Sequence, residues 1–146
     1  MGWTHNWRRG TELPPSAFAA AVIDCRKTLP CTGIPLAGFD GNAQPMLQED
    51  VIVFNGQGRA GCEPFEIHRT ECDRHGRAVF WSFCKTEHLP YDLCVQMALV
   101  ILKHHLAEMI TVGSDGKDDD WAEARRHCQK QLGYGDTFRL HAESME

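Results

Sequence analysis

Between Tyr91 and Leu106 the chain places Leu93, Val95, Met97, Leu99, Val100, Ile101, Leu102 and Leu106 around nearly the whole circumference of a helix. A helix without a polar face has to be surrounded by other elements. This segment is therefore expected to be the buried centre of the fold, not a surface helix. Pro90 and Asp92 suit its first turn, and Lys103, His104 and His105 suit the negative end of its dipole. The longest apolar run, Leu93 to Leu102, is interrupted by Gln96 and is too short to span a bilayer. With 146 residues and 42% hydrophobic content the chain fits one domain, expected over 1–140, with a tail at 141–146.

The elements around that helix follow from periodicity. Pro14-Pro15-Ser16 opens a helix whose Phe18, Val22, Cys25 and Leu29 recur every three or four residues, and Leu29-Pro30 closes it. The stretch from Cys31 to Asp50, rich in Gly, Asp, Asn and Pro, reads as a loop. Val51–Phe54, Pro64–His68 and Ala78–Cys84 read as three strands of an antiparallel meander. Met109–Val112 reads as a further strand, and Asp118-Asp119-Asp120 as the start of a last helix with a Trp121, Ala124, Cys128, Leu132 stripe. Near the beginning, Trp3, His5 and Trp7 alternate with Thr4 and Asn6, the pattern of a docked strand. The order β-α-β-β-β-α-β-α predicts an α+β domain, a mainly antiparallel sheet with helices packed on it.

Charge and cysteine usage narrow the class. A net charge of −5 argues against holding duplex nucleic acid, which needs a basic face. Arg8-Arg9 and Arg125-Arg126 remain as local anion contacts. Seven cysteines without a CxxC pair, several in apolar contexts, suit reduced thiols, and no signal-peptide pattern opens the chain. Together these predict a cytoplasmic protein with no membrane partner. Cys62, His68, Cys72 and His75 offer four zinc-type ligands within one hairpin, but their spacing matches no standard signature. The expectation there is reduced cysteines and surface histidines, with no metal and no cofactor. His104 and His105 are adjacent on a helix and are not expected to reach one site.

Candidate ligand contacts gather at strand ends, where a rigid sheet can make polar groups converge. They are His5 and Trp7 on the first strand, Asn55 in Phe54-Asn55-Gly56-Gln57-Gly58, Lys85, Thr86, Tyr91 and Asp92 ahead of the central helix, and Ser114 and Asp115 beyond the fourth strand run. Lys85 would serve a phosphate as a point charge, Thr86 as a hydroxyl donor, and Tyr91 would stack or hydrogen-bond. The plainer alternatives are turn signals at Asn55-Gly56 and Asp115-Gly116, a helix cap at Asp92, and core packing of the aromatics. The chain has no GxSxG elbow, P-loop or HExxH motif. Cys84 beside Lys85, with His88 nearby, is the local candidate for a thiol nucleophile, and its apolar flanks favour a buried structural thiol.

The set GWTHNW, FNGQG, FCKT followed by PYD, ILKHH and GSDG resembles a family of small proteins of bacteriophages and bacteria. Its members begin with a Gly-aromatic-Thr-His-aromatic-Trp pattern. The similarity runs from Gly2 to Leu140, with Trp3, Asn6 and Gly113 departing from the usual residues. It implies a phage or mobile-element protein in the host cytosol and no mechanism. The expected function is binding of a nucleotide-like or phosphorylated small molecule, with sequestration of a host signalling nucleotide as its use. Two alternatives stand beside it: a hydrolase of phosphodiester or glycosidic bonds with His5 as base or acid and Asp92 or Asp115 orienting it, and an interaction protein that blocks a host factor. A homodimer is compatible with all three.

Overall fold

The computed structural model describes residues 2–141. Its elements are β1 (Thr4–Gly10), α1 (Pro15–Thr28), β2 (Leu36–Ala37), β3 (Met46–Gln48), β4 (Val51–Gly56), β5 (Phe65–His68), β6 (Val79–Lys85), α2 (Asp92–Leu106), β7 (Ile110–Ser114) and α3 (Ala122–Leu132). The fold is α+β, with antiparallel sheets and helices packed on them. α2 is its axis: every residue from Cys94 to Leu102 is buried, and α1, α3 and β7 all pack on it. The surrounding demanded by its apolar circumference is thus met by elements from both ends of the chain.

One sheet has the order β6-β1-β7, with β1 in the middle. Its inner face carries His5, Trp7 and Arg9, all at most 1% exposed, as the alternation in β1 requires. In the other sheet β4 is buried along its whole length and pairs with β2, β3 and β5. The stretch read as a loop from Cys31 to Asp50 therefore holds two short strands, β2 and β3. They are stabilised by the neighbouring β4 backbone and not by their own composition.

The expected meander also ends early. β4 and β5 pair, but β6 leaves β5 and pairs with β1, setting Cys84 opposite His5 and Phe80 opposite Arg9. Arg9 ties β1 to the end of β5 instead. Its guanidinium donates to the His68 and Arg69 carbonyls and to Glu71 Oε2 at 3.1 Å, capping the C-terminal end of β5. Arg9 is consequently a structural ion and not the anion contact suggested by Arg8-Arg9. Arg125 is likewise engaged, donating to the Asp118 carbonyl at 2.6 Å. His141 N–H donates to Val112 O, so residue 141 is still tied to β7. The rest of the expected tail, 142–146, lies outside the described residues. No helix among the described residues is long and apolar enough to cross a membrane.

Candidate functional site

The first turn of α2 meets the sheet at His5. Register places His5 opposite Ser114 of β7, and α2 brings Asp92 to the other side of the imidazole. His5 Nδ1 lies 2.8 Å from Ser114 Oγ, and His5 Nε2 lies 2.6 Å from Asp92 Oδ1. Asp92 is acceptor-only, so Nε2 carries the hydrogen that it receives. The other ring nitrogen, Nδ1, is thereby turned to the Ser114 hydroxyl. Ser114 Oγ in turn accepts the Gly116 N–H at 2.9 Å, which fixes the hydroxyl oxygen in place.

Asp92 gathers further donors. Thr86 Oγ1 donates to Oδ1 at 2.5 Å and Gln96 Nε2 to Oδ2 at 3.0 Å. Desolvation acts to raise the Asp92 pKa, but the hydrogen bond and charge of His5, with the Thr86 hydroxyl and the nearby Trp3 N–H, outweigh it. The carboxyl is held below its ordinary value. The Trp3 indole N–H makes no direct hydrogen bond, so its contribution is that of a dipole close to the carboxylate.

Aromatic rings cover the cluster. Trp121 meets His5 edge-on at 4.9 Å, Trp3 does so at 6.1 Å, and Trp3 stacks on exposed His88 at 4.0 Å. The segment carrying His88 is strained: Glu87 and His88 have φ of 55° and 61°, the left-handed region that side chains with a Cβ rarely adopt. Each such residue costs about 1–3 kcal/mol, and outliers of this kind gather at functional sites. Trp3 also packs on Gly116, where a Cβ would sit 2.7 Å from the indole.

Four of the nine predicted ligand contacts, His5, Thr86, Asp92 and Ser114, come together in this cluster. Asp115 stands at its rim, whereas Lys85, in register with Thr4 and not with His5, sends its side chain off the opposite face of β6. Lys85 Cε runs beside Gly2, and exposed Asp115 accepts the Thr4 N–H at 3.0 Å. The other three lie elsewhere in structural roles. Trp7 is a core residue against Phe65, with ring centres 5.1 Å apart. Asn55 uses both ends of its amide to clamp the loop, donating to the Phe39 and Cys62 carbonyls and accepting from the Gly56 and Cys62 N–H groups. Tyr91 is fully buried and donates to the Glu63 carbonyl. Ligand contact through these three does not fit their burial.

Sequence reasoning missed Gln96, His88 and Trp121. Gln96 carried a readable signal, being the one polar residue in an apolar run and four residues after Asp92. Cys84 is no nucleophile: burial pushes its thiol pKa up, and it points at the Glu63 carbonyl. Cys62, His68, Cys72 and His75 do not converge, and among the described residues no three His, Cys, Asp or Glu side chains are placed to share a metal ion. His104 and His105 take different partners around Tyr134. Tyr134 stacks on His104 at 3.6 Å and lies edge-on to His105 at 5.7 Å. His105 and Tyr134 share Asp24, at 2.7 and 2.6 Å. Comparison with known proteins yields no matching family model, no similar curated protein and no similar solved structure.

Proposed function

We propose that the protein is a hydrolase of small phosphorylated, nucleotide-like molecules, and that the His5 cluster is its working site. The observation that carries this reading is the in-line arrangement of a half-buried hydroxyl, an imidazole and a carboxylate, Ser114–His5–Asp92. In this reading His5 Nδ1 takes the Ser114 proton as Oγ attacks phosphorus. The leaving oxygen departs with that proton, and water then releases the second product and restores the hydroxyl. Asp92 offsets the positive charge on the imidazolium. Trp3 and His88 offer a ring to stack against.

A binding-only reading, sequestration of a signalling nucleotide in the host cytosol, is favoured by a different observation: His5 is fully buried and each of its nitrogens already has a protein partner. A thermal-shift screen of mono-, di- and cyclic nucleotides, with mass analysis of each recovered ligand, separates the two. Converted ligand, with conversion lost in His5→Ala and Ser114→Ala, supports hydrolysis. A raised Tm with intact ligand supports sequestration. No shift across the panel refutes both and moves the interaction reading forward. The phage or mobile-element setting implied by the motif resemblance belongs to the same proposal.

A further inference from the structure

The outer edge of β6 carries an independent feature. Thr86 N–H bonds Trp3 O on the β1 side, whereas Lys85 bonds Glu63 on the opposite side through both its N–H and its C=O. In an antiparallel strand these directions alternate, so Val79, Trp81 and Phe83 also turn their backbone groups away from β1. Among the described residues nothing pairs with those groups. The same three residues have side chains 57%, 53% and 64% exposed. An open edge is ordinarily blunted by lysine, proline or a covering loop. Here it is Val, Trp and Phe.

Beside this edge runs a groove of about 750 Å³, with Ser82 and Phe83 of β6 on one wall and Glu63, Glu66, Glu71 and Arg74 on the other. Glu71 is paired with Arg9, Glu63 Oε1 accepts the Lys85 N–H at 2.9 Å and Glu66 Oε2 lies 2.8 Å from His68 Nε2, so each carboxylate keeps one oxygen toward a groove in which Arg74 is the one lining guanidinium. An added strand needs only about 5 Å of lateral space. We propose that this edge takes an extended segment of a partner protein as an added strand, with apolar residues alternating with basic ones. Main-chain bonds to Val79, Trp81 and Phe83 hold it. Its apolar side chains extend the exposed Val79–Trp81–Phe83 row, where Arg8 already lies 5.2 Å over Trp81. Its alternate side chains drop toward Ser82 and the carboxylates, which select lysine or arginine.

The test uses the whole chain and two short synthetic peptides, one alternating valine with lysine and one alternating valine with glutamate. Titration is read by amide hydrogen exchange. The valine–lysine peptide is expected to slow exchange at Val79, Trp81 and Phe83 by about tenfold or more, and to bind about tenfold more tightly than the glutamate peptide. Trp81→Pro removes one outward N–H without breaking the ladder to β1 and is expected to abolish binding with little change in Tm. If that variant unfolds, Trp81→Lys replaces it and is expected to weaken binding of the lysine peptide. No binding, equal binding of both peptides, or protection elsewhere on the chain overturns the proposal. Protection of these amides by self-association in the absence of peptide also overturns it, in favour of a second copy.

Discussion

Replacing Asp92 tests the cluster most directly, because three side chains donate to one carboxylate. In Asp92→Ala, Thr86 can turn its hydroxyl toward the Trp3 carbonyl 3.5 Å away, but the fully buried His5 Nε2–H has no such substitute. A buried donor left unpaired costs roughly 1–3 kcal/mol. The lost Gln96 bond costs about 1 kcal/mol more, and the absence of a carboxylate in the first turn of α2 about 0.5 kcal/mol. A total loss of about 3–4 kcal/mol is expected. Asp92→Asn keeps the shape and forfeits only the charge assistance, about 2 kcal/mol. With a urea m-value of about 2 kcal/mol/M, the midpoint falls by roughly 1 M for Asn and 2 M for Ala.

The sign with pH follows from the lowered Asp92 pKa. Its stabilisation is fully present above the unfolded carboxyl pKa, about 3.9, and is lost as pH falls through the lower folded value. The gap between wild type and Asp92→Asn is therefore constant at neutral pH and closes below about pH 4. Equal urea midpoints at pH 7, or a gap unchanged down to pH 3, would refute the hydrogen-bond assignment around His5.

Further outcomes follow from the same structure. Arg9→Met leaves the His68 and Arg69 carbonyls without their donor and Glu71 with only the His68 N–H, and is expected to cost about 3–5 kcal/mol in denaturant titration. Gly116→Ala drives a methyl into Trp3, so its intrinsic fluorescence should shift red as the indole is displaced. Labelling with a thiol reagent at pH 8 should modify exposed Cys31 and Cys72 first. Buried Cys25, Cys84, Cys94 and Cys128 should react only after denaturation, since burial raises their pKa values, to about 11 for Cys94 and about 12 for Cys128.

Where a segment's periodicity matched its burial, the sequence was legible. α1, α2 and β4 announce themselves because one stripe, the whole circumference, or both faces are apolar. β2 and β3 could not be seen, since they are two and three residues long, their pairing comes from β4, and Gly38, Asp40-Gly41-Asn42 and Pro45 around them read as loop. The pairing of β6 with β1 was hidden for a related reason: the two strands are far apart in the chain, and the buried Arg9 that ties β1 to the end of β5 reads in sequence as surface charge. At the site, His5, Thr86, Asp92 and Ser114 were legible as polar residues at strand and helix ends. Trp7, Asn55 and Tyr91 were equally prominent in sequence, and only their burial distinguishes a core ring or a loop clamp from a ligand contact.

The central place of β1 has a consequence for how the chain acquires this fold. β1 leaves the ribosome before either of its neighbours and stays without partners until Val79–Lys85 and Ile110–Ser114 have been made. Local hairpins cannot shelter it, because both of its ladders span most of the sequence. Such long-range pairing closes slowly and leaves a Trp- and His-bearing strand exposed to chaperones in the interval. A chain halted before β7 is complete would have made α2 with neither β7 nor α3 to cover it, and is expected to be degraded or aggregated rather than to persist as a folded fragment.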